Sequence, residues 1–246
     1  MSTETLVLLT ATVLVVAFLY SSVGHAGASG YIAVMSLFNL APAEIKPTAL
    51  VLNVLVASIA TWQFWRAGHF SWRLFWPFAL LSVPMAFVGG WVNLPAHAFK
   101  VLVGVVLLFS AFRFLFSGSA PDVAEEEPPR LVAIPLGAGL GLLSGLTGTG
   151  GGIFLTPLLL FKRWARVKTA AAVSALFILV NSVAGLLGNL GSARNVPSFA
   201  IALGTAAVIG GTLGSYLGSR RFPPVAIRRS LALVLLIAGA KLIFTR

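Results

Sequence analysis

Apolar residues run through this chain in long unbroken stretches, separated by short polar or glycine- and proline-rich breaks. In the first half the stretches cover about residues 5–22, 27–40, 47–65, 73–93 and 98–116; in the second, about 131–147, 150–161, 169–190, 198–219 and 226–244. Runs of about 17–25 apolar residues have the length of membrane-crossing helices. A transmembrane barrel would show shorter segments alternating between apolar and polar positions, and no such pattern is present. The second stretch of each half is short. As a helix, residues 150–161 reach only ~18 Å, against a hydrocarbon core about 30 Å thick. The pattern therefore predicts an all-α polytopic membrane protein with a short broken helix in each half.

The halves resemble one another. "PDVAEEEPPR" (Pro121 to Arg130) holds four of the six acidic residues and reads as a soluble cytoplasmic linker. It separates a first repeat, 1–120, from a second, 131–246. "AEIKPTALVLNVLVAS" from Ala43 overlays "ARVKTAAAVSALFILVNS" from Ala165, placing Lys46 on Lys168. "GHAGA" (Gly24 to Ala28) overlays "GTGGG" (Gly148 to Gly152). If all five segments of each half cross, the number is odd and the repeats are inverted, as in many secondary transporters. With the N-terminus outside, the basic residues Arg66, Arg73, Lys162, Arg163, Arg166, Lys168, Arg220, Arg221, Arg228 and Arg229 then collect in the cytoplasm. Re-entrant hairpins at 27–40 and 150–161 are the other arrangement, and it weakens this bias. Trp62, Trp65, Trp72 and Trp76 flank the loop between Arg66 and Arg73, as an interfacial aromatic belt does. Gly137, Gly141 and Gly145, and again Gly210, Gly214 and Gly218, recur every fourth residue and predict close helix contacts.

Composition agrees with the pattern. Charged residues make up 9% of the chain, far below the roughly 25% of soluble domains. The net charge of +11 is explained by basic loops rather than by nucleic acid, for which no binding is expected. The absence of cysteine removes thiol catalysis and thiolate metal sites. The first apolar stretch lacks a basic leader and a cleavage site, and reads as a retained helix rather than a signal peptide.

"SGLTGTGGGIFLTPLLL" (Ser144 to Leu160) breaks an apolar segment with five glycines in nine positions. Glycine inside a helix costs roughly 1 kcal/mol relative to Ala, so the break needs a reason. One is a kinked packing face. A P-loop lacks its Gly-Lys-Ser/Thr ending here, and Ile153 stands where the third glycine of a dinucleotide fingerprint belongs. The remaining reading is a substrate site, where freed N–H groups and the dipole of the next half-helix attract an anion. Thr147, Gly148, Thr149, Gly150, Gly151 and Gly152 are its candidates in the second half, with Ser22, Gly24, His25 and Gly27 at the matching break of the first. Outside the linker the acids are Glu4 and Glu44, both at segment ends, which disfavours a cation carrier. Lys46, Lys168, Asn53 and Asn181 are further candidates for meeting an anion, and His25 for carrying a coupling proton.

The two glycine motifs, each followed by a short apolar helix and a lysine-bearing turn, resemble the sulfite exporter TauE/SafE family, also called the toluene-sulfonate uptake permease family. "GLTGTGGGIFLTPLLL" and "AGHFSWRLFWPFAL" carry the resemblance, which extends over essentially the whole chain. It implies a secondary transporter of the prokaryotic cytoplasmic membrane for sulfite, organosulfonates or related sulfur anions. "GHAGA" departs from the glycine-rich form, with His25, Ala26 and Ala28 where the second motif has Thr149, Gly150 and Gly152.

The expected mechanism is alternating access about a midplane anion site. Export is favoured, because an anion leaving a negative-inside cell gains about 2.3 kcal/mol per charge per 100 mV. An integral membrane scaffold or assembly subunit, or an anion channel, is the alternative. HExxH, Gly-x-Ser-x-Gly and paired carboxylates are absent, so no enzyme activity, cofactor or metal is expected. Monomer and homodimer both remain open.

Overall fold

A computed structural model describes residues 2–22, 25–116, 127–192, 195–220 and parts of 235–243. The expectations for Gly24, for most of the linker, for the basic cluster at 221–229 and for most of the segment 226–244 lie outside the described residues. Within them the chain is helical: α1 (Thr3–Ser22), α2 (Ala28–Leu37), α3 (Pro42–Arg66), α4 (Trp72–Trp91), α5 (Ala96–Phe116), α6 (Arg130–Thr147), α7 (Gly152–Phe161), α8 (Val167–Gly191) and α9 (Ala200–Arg220). Helices α1, α3, α4, α6, α8 and α9 are long and apolar enough to cross a membrane. Helices α2 and α7 have ten residues each, ~15 Å of rise.

Helix α3 starts at Pro42, five residues before the apolar stretch begins. Pro42 fits the first helical turn, where its missing N–H is not needed. The Glu44 carboxylate accepts a hydrogen bond from the Ala41 N–H at 3.2 Å. The early start carries Lys46 inside the helix rather than at its tip.

Packing partners exchange between the halves. α1 lies mainly on α9 and α6 mainly on α4, while α3 crosses α8; α8 also packs on α4, and α3 on α9. The glycine ridges make the close contacts. A Cβ on Gly137, Gly141 or Gly145 of α6 would overlap the carbonyl oxygen of Phe78, Ser82 or Ala86 of α4, respectively. A Cβ on Gly210 or Gly214 of α9 would overlap those of Leu14 or Phe18 of α1. Both residue numbers rise together in each pairing, so α6 runs parallel to α4 and α9 parallel to α1. α8 also runs parallel to α4: Ser82 bonds Asn181, Gly185 lies by Ala86 and Gly90, and Gly188 by Phe87 and Trp91. Backbones brought this close gain dispersion contacts where the hydrophobic effect between helices is absent.

One end of the bundle is basic. Arg73 pairs with Glu127 at 2.9 Å, Arg130 lies over the Trp76 ring and Arg66 over the Trp62 ring. Trp164, in the α7–α8 loop, packs on Phe78. The starts of α4, α6 and α8 therefore share this end with exposed Lys162, Arg163, Arg166 and Lys168. Trp62, Trp65 and Trp72 stand exposed around it.

Candidate functional site

Three of the four residues between α6 and α7 adopt left-handed backbone. Gly148 (φ 80°) ends α6, its N–H bonded to the Ser144 carbonyl at 2.8 Å, and Gly150 (φ 74°) and Gly151 (φ 79°) lead into α7. Side-chain-bearing residues pay for this geometry with strain. The chain thus reverses sharply and α7 runs back beside α8: the Thr156 hydroxyl donates to that of Ser174, and Leu159 shares a cluster with Ala170. Since α8 starts at the basic end, α7 returns toward that end. Among the described residues, the N–H groups of Gly150, Gly151, Gly152 and Ile153 make no hydrogen bond to the protein.

Two helices from opposite halves converge on this loop. A Cβ on Gly150 would lie 3.0 Å from Asn53 Nδ2 of α3, 3.0 Å from Ser182 Oγ of α8 and 2.7 Å from Ile178 Cγ2. Asn53 Nδ2 donates to the Gly148 carbonyl at a long 3.4 Å. Asn53 Oδ1, Ser182 Oγ and Ser144 Oγ are fully buried and find no hydrogen-bond partner among the described residues. A buried polar atom left unsatisfied costs about 1–3 kcal/mol, so three beside a run of bare N–H groups mark a place prepared for a polar guest. Thr147 and Thr149 share a hydroxyl–hydroxyl bond of 2.9 Å at the same break.

Asn181 does not face the loop. It accepts a short hydrogen bond from Ser82 on α4 and donates to the Phe177 carbonyl at 2.9 Å, tying α4 to α8. The residue the sequence reading missed is its neighbour Ser182, about 100° around the helix.

The first break is built differently. His25 is buried, with its N–H on the Tyr20 carbonyl at 3.0 Å, and Ser22 bonds back to the Leu19 carbonyl. Gly27 (φ 104°) precedes α2. Tyr20 accepts from the Ser29 hydroxyl, and the Tyr31 hydroxyl donates to the Ala26 carbonyl at 2.8 Å. A Cβ on Gly27 would strike the Tyr31 ring, and one on Gly30 the Tyr20 ring. Ile178 belongs to the same buried apolar cluster as Ala26 and Tyr31. Two tyrosines thus fill this break, whereas amide and hydroxyl groups border the second.

The two lysines have unlike surroundings. Lys46 is buried, with Cγ 3.5 Å from the Cβ position of Gly148, and its ammonium donates to the carbonyls of Gly89, Gly90 and Val92 at 3.0, 3.0 and 3.3 Å. These carbonyls belong to the C-terminal turn of α4 and the residue after it, where a cation is favoured. Lys168 is exposed in the first turn of α8, away from the loop. Burial, followed by the charge of Lys168, holds the His69 imidazole below its usual pKa, which places the α3–α4 loop near Lys168 at the basic end.

Comparison with known proteins matches this chain to a family. The family model described as sulfite exporter TauE/SafE matches residues 9–242. The probable membrane transporter protein y4hK of Sinorhizobium fredii is 40% identical over 234 residues, covering 94% of this chain and 95% of that protein. The probable membrane transporter protein YjnA of Bacillus subtilis is 26% identical over 238 residues, covering 89% and 92%. No solved structure matches the chain significantly.

Proposed function

We propose that this chain, which belongs to the sulfite exporter TauE/SafE family, is a secondary transporter that exports a small sulfur oxyanion by alternating access. It is a multi-pass membrane protein with transporter relatives, and the bacterial relatives fit a prokaryotic cytoplasmic membrane. The observation that carries the reading is the convergence of Asn53 and Ser182, buried and with unsatisfied oxygens, on Gly150 at the N-terminal end of α7. Bare N–H groups, a helix dipole and hydroxyls suit an oxyanion. Glu4 and Glu44, the acids outside the linker, sit at helix starts, and Glu44 is engaged with the Ala41 N–H.

Two inverted repeats, 1–120 and 131–246 about the linker, account for the packing exchange. If α6 corresponds to α1 and α9 to α4, then the α1–α9 pair and the α6–α4 pair are one contact made twice, and both are parallel. The α3–α8 crossing lies on the axis between them. Asn53 comes from one repeat and Ser182 from the other, so rocking one repeat against the other opens and closes the loop between them. The basic end faces the cytoplasm under the positive-inside rule, which puts the N-terminus outside. Outward movement of an anion runs down the membrane potential by about 2.3 kcal/mol per charge per 100 mV and needs no coupling ion.

The first test is thermal stabilisation of the purified protein in detergent against sulfite, sulfate, thiosulfate, taurine and chloride. A shift that saturates with a sulfur oxyanion, followed by saturable flux in liposomes, is expected. A folded protein that no anion stabilises overturns the reading.

A further inference from the structure

We infer that the glycine-loop site, taken as the transport site proposed above, accepts its oxyanion in the singly charged, protonated form and rejects the dianion. Charge is the first argument. Lys46 is the one cation among the described residues whose side chain reaches the loop, its Cγ lying 3.5 Å from the Cβ position of Gly148. Its ammonium is held on three α4 carbonyls rather than aimed at Gly150. A single guest charge is balanced by this lysine. A second is left uncompensated inside a buried site, a costly arrangement in a low-dielectric surrounding.

Hydrogen bonding is the second. Donors abound at the loop: the N–H groups of Gly150 to Ile153, and the hydroxyls of Ser182 and Ser144. Among them stands a fully buried acceptor, Asn53 Oδ1, without a partner among the described residues. A dianion carries acceptors alone, so it leaves this oxygen unsatisfied and opposes it with like partial charge. A protonated oxyanion donates its own O–H to Asn53 Oδ1 while its other oxygens accept from the N–H groups and hydroxyls. Asn53 thereby reads the proton on the substrate.

No protein group at the loop competes for this role at neutral pH. α3 brings Lys46 and Asn53; α8 brings Ile178 and Ser182, with Lys168 far off at the basic end. Arg130 of α6 and Arg73 of α4 lie at that end too, and α7 carries no charged side chain. His25, Tyr20 and Tyr31 sit at the other break, beyond Ile178.

The test is calorimetric titration of the wild-type protein with sulfite, and with selenite, which has the same shape and a weaker second ionisation (a higher second pKa), over a series of pH values. Affinity counted on total ligand is expected to fall about tenfold per pH unit above each ligand's own second ionisation, with the break at higher pH for selenite. Sulfate, doubly charged throughout the series, is expected to bind at least a hundredfold more weakly. Affinity that holds or rises with pH, or a break at the same pH for both ions, overturns the inference while leaving an oxyanion site in place. Failure of every ion to bind at any pH overturns the site itself.

Discussion

The Lys46 ammonium lies 3.0 Å from the Gly90 carbonyl oxygen, joining the start of α3 to the end of α4 inside the protein. The same amine reaches Gly89 and Val92, so three carbonyls without helical partners are served by one side chain. Lys46→Met keeps the stem and removes the donors. It is expected to cost about 2–3 kcal/mol, read as a lower Tm without any added anion. Lys168→Met, at an exposed position, is expected to stay within about 0.5 kcal/mol of wild type. Equal effects for the two would refute the capping role.

Gly141 and Gly139 stand two residues apart on α6 and face different surroundings. A Cβ at 141 would overlap the Ser82 carbonyl, while one at 139 meets nothing within 4 Å. Gly141→Ala should separate α4 from α6 and cost about 1–3 kcal/mol. Gly139→Ala should be neutral or stabilising by up to about 1 kcal/mol. Thermal denaturation of the two variants in one detergent decides the matter.

Left-handed backbone alone does not make a site, and Gly68 provides the comparison. Gly68 and Gly150 share φ +74°, but nothing lies within 4 Å of a Cβ at Gly68. Gly68→Ala is expected to lose roughly 1–2 kcal/mol from backbone strain and to keep anion-induced stabilisation. Gly150→Ala pushes a methyl against Ile178, Asn53 and Ser182, and is expected to abolish that stabilisation. Persistence of the shift in folded Gly150→Ala would move the site elsewhere.

Ser182 and Asn181 are neighbours with opposite expectations. The Ser182 hydroxyl has no partner in the protein among the described residues, so Ser182→Ala should leave stability unchanged or raised, and weaken sulfite binding by about fivefold to tenfold, the worth of one hydrogen bond. Asn181→Leu breaks the link to Ser82 and leaves that hydroxyl buried, costing about 2 kcal/mol. Weakened stability in Ser182→Ala, with binding intact, would make the serine a packing residue.

How much of this was legible depends on what kind of signal each feature leaves. The spans and the short α2 and α7 are written in runs of apolar residues and in the glycine break, which survive without any knowledge of neighbours. Helix phase is not. α8 is apolar or small on most of its surface, so nothing in the order Asn181–Ser182 tells which residue turns toward the loop and which toward α4. The overlay of Lys46 on Lys168 matched charge with charge, yet α3 and α8 each have 25 residues, and aligning their ends sets Lys46 level with Ala171. A buried cap and an exposed cation in a helix's first turn look alike in sequence. Tyr20 and Tyr31 likewise gave no sign that they fill the first break, because filling is a matter of what lies across the gap.

Orientation follows from charge and is open to direct measurement, since the chain has no native cysteine. Asn93, exposed in the α4–α5 turn, and Arg163, exposed in the α7–α8 loop, mark opposite ends of the bundle. The end that carries Arg163 also carries Arg66, Arg73, Arg130 and Lys168, and basic loops are retained in the cytoplasm. Single cysteines placed by Asn93→Cys and Arg163→Cys are therefore expected to differ toward a membrane-impermeant maleimide. In intact spheroplasts the first should label and the second should not; lysis should expose the second. Labelling in the reverse order would invert the protein, and export driven by the membrane potential would then have to start from the end that carries Asn93. Labelling of both before lysis would mean that α7 does not return to the face from which α6 started, and the inverted-repeat scheme would fall with it.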